Sequence, residues 1–352
     1  MIINRYEHIN QETYNNMKYP LYRYIINLDT IKEHVKNLST YHLEQLQPNN
    51  IKNILGSQYN SLIPINNKHI VFVTDYYKDI NMVNITDYFS QSCRIKCSHM
   101  NNLSPLSYFK KNKQIIYDKL IKQYNKVSWH QLDIHMYMNI KQCTNFYTPI
   151  VINVLHYFKP KKYLDFSAGW GDRLIGAIAY GMTDKDFHYT GVDPSECMKR
   201  KYKKIIKKLT DNDPRYNIIN LPFEDTNLES NSYDLVFTSP PFFDLEIYET
   251  DNMNQSVKRY SDINTWFQNF MAQCIDKSID ALEENGHLAL YIADSMNDSY
   301  VKKTHDYIIK KKNIQYIGNI YWINKTSSKK LRIIRVYKKH GSMSSILNGI
   351  IQ

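Results

Sequence analysis

The stretch Lys162-Tyr-Leu-Asp-Phe-Ser-Ala-Gly-Trp-Gly-Asp-Arg173 constrains this chain more than any other. It reads as a short buried strand ending at Asp165, a loop holding Gly169 and Gly171, and the start of an amphipathic helix. A tight strand-to-helix turn that admits a ligand needs glycine, because a Cβ obstructs the approach of backbone to ligand. Downstream, the apolar run Tyr233-Asp-Leu-Val-Phe-Thr238 meets Pro240 and Pro241. Two prolines cannot continue a ladder, so the chain leaves the sheet there. Two special loops on one carboxyl edge place a ligand site beside a reaction site in a doubly wound α/β sheet.

Other segments fit that frame. Tyr189-Thr-Gly-Val-Asp193 is a second strand ending in an acid, the position at which nucleoside-binding sheets hold ribose hydroxyls. Residues 216–219 form a third strand, followed by Pro222-Phe-Glu-Asp225, and residues 287–292 a fifth. Residues 264–282 form a long amphipathic helix stopped by Asn285-Gly286, with a basic helix at 300–312. Residues 315–324 and 331–338 pair as a hairpin around Thr326-Ser-Ser-Lys329. Thr148 and Pro149 suit the N-cap and first position of a helix that Pro160 ends.

Taken together, Asp165-Phe-Ser167-Ala168-Gly169-Trp-Gly171 resembles motif I of class I S-adenosylmethionine (SAM) methyltransferases. Ser239-Pro240-Pro241-Phe242 resembles motif IV of the amino-methyltransferases, which methylate exocyclic base nitrogens. The resemblance covers residues 144 to 339, and the first 140 or so match no family. It implies a Rossmann-like, seven-stranded sheet and SAM as cofactor. Asp165 would accept from the cofactor's amino end, the helix N-terminus would meet its carboxylate, and Asp193 would hold the ribose. Asp225 sits where motif III accepts from adenine, and Tyr147 and Thr148 where motif X packs on methionine. The chemistry suits the residues: an amine conjugated to a heteroaromatic ring is a poor nucleophile. Ser239 and the following carbonyl would accept its N–H bonds, Pro240-Pro241 would stiffen the backbone, and Phe242 would stack on a flipped-out base. Phe243, Asp244 and Tyr248 extend into a loop placed to touch that base. Serine in place of Asp or Asn leans toward cytosine N4 over adenine N6. The absence of cysteine after the prolines argues against cytosine C5 chemistry.

Composition narrows the partner. A net charge of +11 favours a polyanion, and nucleic acid, DNA ahead of RNA, is the expected substrate. An RNA base methyltransferase and a protein glutamine methyltransferase are the alternatives. Lysines 110, 111, 113, 119 and 122 lie on a helix at 108–124, and a second basic run spans 199–208. Each reads as a nucleic-acid surface or as an ordinary solvated face. Five scattered cysteines show no paired framework, which points to a reducing compartment, cytoplasm or nucleus, a host's included. Cys93-Arg-Ile-Lys-Cys97-Ser-His99 lacks the second ligand pair of a zinc site, so no metal is expected. No signal-length apolar core opens the chain, and no run of about 18 apolar residues occurs. The expected organisation is a mostly helical region at 1–143, a methyltransferase domain at 144–340 and a tail at 341–352. The N-terminal helix at 31–46 should stop at Pro48, and residues 69–74 should form a strand.

Overall fold

The computed structural model describes residues 2–99, 102–249, 251–294, 299–325 and 331–341. The tail beyond residue 341 and the turn around Thr326-Ser-Ser-Lys329 lie outside them. In chain order the strands are β1 Glu44–Gln45, β2 Ile70–Thr74, β3 Ser98–His99, β4 Lys162–Asp165, β5 His188–Val192 and β6 Tyr216–Ile219. They continue as β7 Tyr233–Thr238, β8 Glu246–Ile247, β9 Leu282–Tyr291, β10 Ile314–Asn324 and β11 Arg332–Lys339.

One sheet takes nine of these in the order β1-β2-β10-β11-β9-β7-β4-β5-β6, and β3 pairs with β8 in a separate ribbon. From β4 to β11 the order is that of a doubly wound sheet, parallel except for β11, which runs antiparallel to both neighbours. The Rossmann-like fold of the class I methyltransferase type is present, with its terminal hairpin. The sheet exceeds the expected seven strands because β2 adds in parallel to β10 and β1 pairs antiparallel with β2.

Alternation along the strands explains why helices cover both faces, since successive side chains point to opposite sides. Tyr163, Leu235, Phe237 and Ala289 pack on the helices Thr148–Phe158, Asp172–Thr183 and Glu196–Thr210. Leu164, Val236, Leu288 and Leu290 pack on Ala272–Ala281 and Tyr300–Ile309. The first of these cores also takes in Ile9, Val35, Phe89 and Leu132, so it runs without a break across residue 143. No described helix is long and apolar enough to cross a membrane.

Four local expectations change. The helix expected at 31–46 is Leu28–Ser39, and Pro48 opens the helix Pro48–Leu55 instead of ending one. At a first helical position the missing N–H is no loss. Tyr147, not Thr148, is the N-cap of Thr148–Phe158, and the buried Thr148 Oγ1 has no partner. Asn285 and Gly286 do not end the preceding helix: β9 already begins at Leu282, and they form a bulge where its register against β7 shifts. Most consequential, four of the cysteines are paired, Cys93 with Cys197 and Cys97 with Cys143, and Cys274 is buried and free. Their separations of 104 and 46 residues hid the framework in the sequence. The composition's argument for a reducing compartment goes with it.

Candidate active site

The strand order reverses between β4 and β7, and ligands on open α/β sheets bind in the crevice beyond the carboxyl ends at such a point. Asp165 and Thr238 face each other there. Asp165 is fully buried. Its Oδ1 accepts from Thr238 Oγ1 at 2.8 Å and from the Ser167 N–H at 3.3 Å. Its Oδ2 accepts from Arg173 Nε at 2.8 Å and from the Tyr189 hydroxyl at 3.1 Å. A carboxylate offers about four lone-pair sites, so Asp165 has none left for a cofactor's amino group. In this structure Asp165 is the hub that joins the two strand ends. Arg173 is the other half of that hub. It is buried, lies over Phe146 at 5.3 Å, and donates to the Ser167 carbonyl as well. The carboxylate beside it holds its guanidinium firmly charged.

The glycine loop is shaped by conformation and packing. Gly169 has φ +57° and Gly171 φ +94°, both in the left-handed region. A Cβ on Gly171 would come within 2.9 Å of Ile205, so that glycine serves close packing against the helix Glu196–Thr210. Ala168 is buried and donates its N–H to the Val192 carbonyl at 3.0 Å, and Ser167 is half-buried.

Asp193 closes the loop from β5. Oδ2 accepts from the Gly169 N–H at 2.8 Å and Oδ1 from the Ser195 N–H at 2.9 Å. The residue is 9 % exposed, which leaves this carboxylate at the rim of the crevice, where a ribose hydroxyl would meet it. Burial pushes this carboxyl up to about 6, against the pull of those two N–H donors. Asp225 is exposed and gripped by Arg259 through bonds of 2.7 and 3.1 Å. Arg259 also pairs with Glu224 at 3.0 Å, so an adenine amino group would compete with a guanidinium for either acid. On the other side, the Tyr147 hydroxyl donates to the buried Asp79 at 2.8 Å, and Tyr41 donates to the same carboxylate. Tyr147 is thereby anchored to the N-terminal region, a partner that no local pattern announces.

At the end of β7, Ser239 is half-buried, Pro240 is buried, and Pro241 and Phe242 are half-buried. The Ser239 hydroxyl is not taken by any described residue. Phe242 meets Tyr291 edge to face at 6.1 Å, and Tyr291 continues the aromatic wall to Trp322 at 5.0 Å and Phe146 at 5.4 Å. The next three residues of the expected substrate loop go separate ways. Phe243, at φ +48°, turns inward onto Trp266 at 5.6 Å and is core. Asp244 is exposed. Tyr248 lies against Trp170 of the glycine loop at 5.6 Å, on the cofactor side.

Residues 246–249 and 251–255 form a strap across the cofactor edge. At one end β8 pairs with β3, Ile247 opposite Ser98. At the other, Glu249 accepts from the Ser195 hydroxyl and from the Cys197 N–H at 3.1 Å, and Asn252 donates to the Pro194 carbonyl at 3.1 Å. The disulfides support both ends, since Cys97 precedes β3 and Cys197 opens the helix that Glu249 caps. Ligand atoms of Cys97, Cys143 and Glu246 lie within 4.8 Å of one another, but the two sulfurs are bonded to each other and are not free to bind metal.

No family model matches the chain, and no curated protein does. Among solved structures it is similar to a SAM-dependent O-methyltransferase from Thermotoga maritima, at 15% identity over 59% of this chain and 71% of that one, TM-score 0.38. It is also similar to the tRNA methyltransferase TrmI from Aquifex aeolicus, at 14% identity over 56% and 70%, TM-score 0.35. A third is TrmN from Thermus thermophilus, at 10% identity over 55% and 49%, TM-score 0.37. These likenesses are too slight to carry a conclusion, and the fold stands on the chain's own strand pairing.

Proposed function

We propose that this chain is a SAM-dependent N-methyltransferase acting on the exocyclic amino group of a nucleobase, DNA before RNA. The observation that carries the reading is Ser239-Pro-Pro-Phe242 at the switch point, its serine hydroxyl uncommitted, one hydrogen bond away from the strand that ends in the glycine loop. SAM fits in part. Asp193 would hold its ribose, and the N-terminus of Asp172–Thr183 would face its carboxylate; the amino end needs an acceptor other than Asp165. SAM would supply an electrophilic methyl group on sulfur.

The chain's own groups do the rest. Phe242 offers a flat face backed by Tyr291, which holds a flipped base by stacking. Ser239 Oγ and the neighbouring carbonyl accept the amine's N–H bonds, turning its lone pair toward the methyl donor. The methylated amine is cationic and acidic enough to release its proton to water, so no strong base is required. Charge favours a nucleic acid over a protein amide as substrate, because a peptide gives no reason for a net +11.

The test is methyl transfer from labelled SAM to duplex DNA, single-stranded DNA and total RNA, with nucleoside analysis. Ser239→Ala and Phe242→Ala are run beside the parent. Label in N4-methylcytosine or N6-methyladenine, lost in both variants, is the expected result. Label in RNA alone transfers the assignment to RNA bases. SAM binding with no label in any nucleic acid overturns the nucleobase reading.

A further inference from the structure

The helix Glu196–Thr210 carries the basic run that reads from sequence either as a nucleic-acid surface or as an ordinary solvated face. The fold gives that face unexpected company. Met198, Tyr202 and Ile205 are buried, and the Cys93–Cys197 disulfide fastens the helix to Ile85–Arg94. Lys204 lies over the ring of Tyr88 on that second helix at 5.7 Å. The short 3-10 turn Tyr22–Tyr24 is docked to the same helix through the Tyr22 N–H and Gln91 Oε1 at 2.7 Å, which brings Arg23 in beside it. Lys96 follows directly from the helix's C-terminal end. Residues about 180 positions apart in sequence therefore share one surface.

Arg23, Lys96, Arg200, Lys204 and, one turn on, Lys208 are exposed and Lys201 is half-buried. None of the six makes an ion pair with a described residue; the carboxylate on this helix, Glu196, is matched to Lys199 at 3.9 Å. The Lys201 ammonium is shifted down by burial first and then by Arg23, Lys204, Lys96 and Arg200, so the charges are close enough to repel. Lys204 is shifted down likewise, by burial and then by Arg23 and Lys208. Several like charges gathered without counter-ions are a cost to the folded state that a polyanion would relieve. The position is also informative. At 1.5 Å per residue, Lys201 stands about 9 Å and Lys204 about 14 Å along the helix from Ser195, which follows Asp193 at the rim of the cleft.

We propose that Arg23, Lys96, Arg200, Lys201, Lys204 and Lys208 form a docking surface for the phosphodiester backbone of the nucleic acid whose base enters the cleft. The inference rests on the proposed function for its substrate, and extends it by naming the surface that holds the strand. The surface reads phosphates and supplies no base specificity.

The experiment measures binding of the full-length, oxidised protein to a fluorescent duplex DNA and to a single-stranded RNA across salt concentrations, without SAM. Six phosphate contacts predict that log K falls against log salt with a slope near −5 on duplex DNA, an affinity loss of about a thousandfold between 50 and 200 mM. Lys201→Gln with Lys204→Gln lowers that slope by about two. Arg23→Gln with Lys96→Gln does the same from the other element. Lys110→Gln with Lys111→Gln, on the other basic helix, leaves it unchanged. A slope insensitive to the first two pairs, or lowered mainly by the third, overturns the proposal, as does binding to phosphatidylserine vesicles with none to either nucleic acid. Methyl transfer is scored separately: a patch-dependent slope without methylation sinks the proposed reaction and leaves the surface standing. Methylation that ignores the patch variants does the reverse.

Discussion

Thr238 donates its hydroxyl hydrogen to Asp165 Oδ1 at 2.8 Å, and that bond joins the strand end carrying Ser239 to the strand end carrying the glycine loop. Both groups are fully buried. The two halves of the candidate site are thus held in register by a contact that touches neither expected ligand.

Removing either partner should show as lost stability before lost binding. Thr238→Val deletes the donor and should cost about 1–2 kcal/mol in urea denaturation. Asp165→Asn leaves the Arg173 guanidinium buried and uncompensated, and should cost about 3–5 kcal/mol. A well-folded Asp165→Asn protein with only weakened SAM binding would assign Asp165 to the ligand instead of to the hub.

Burial pushes the carboxyl of Asp172, the first residue of its helix, up to about 7, against the charge of Arg173. An acid whose pKa rises on folding contributes stability below its unfolded value of 3.8 and loses it as pH climbs through about 7. Asp172→Asn should therefore match the parent near pH 4 and exceed it at pH 8, by up to about 4 kcal/mol at 1.36 kcal/mol per unit. Parallel urea titrations at the two pH values check this; an equal difference at both overturns it.

The strap formed by residues 246–249 and 251–255 should govern how fast cofactor reaches the edge. Glu249→Gln weakens its hold on Ser195 and Cys197, and reduction of Cys97–Cys143 by a dithiol frees β3, which pairs with it. Each should raise the SAM association rate several-fold, read by stopped-flow tryptophan fluorescence, since Tyr248 lies against Trp170. Unchanged rates would mean the strap does not gate entry.

Gly171→Ala should be destabilising for two separable reasons. The left-handed φ of +94° costs about 1–2 kcal/mol with any Cβ, and the new methyl would stand 2.9 Å from Ile205. Adding Ile205→Val should recover part of the loss in thermal melts and leave the backbone part. Full recovery would assign the whole cost to packing.

What the sequence determined was whatever is encoded locally. Alternation and Gly or Pro punctuation marked β4 through β7 and the terminal hairpin, because a strand's period and a proline's missing donor do not depend on distant partners. The acids ending β4 and β5 and the Ser-Pro-Pro-Phe tetrapeptide were legible for the same reason. Tertiary structure decided what those residues are used for. Asp165 is consumed by Arg173, Tyr189 and Thr238, Asp225 is claimed by Arg259, and Phe243 is drawn into the core by Trp266. It also decided that residues 70–74 join the sheet and that Cys93 meets Cys197. A carboxylate's free lone pairs, a cation's missing counter-ion and a thiol's partner are set by groups tens to hundreds of residues away, and no local pattern records them.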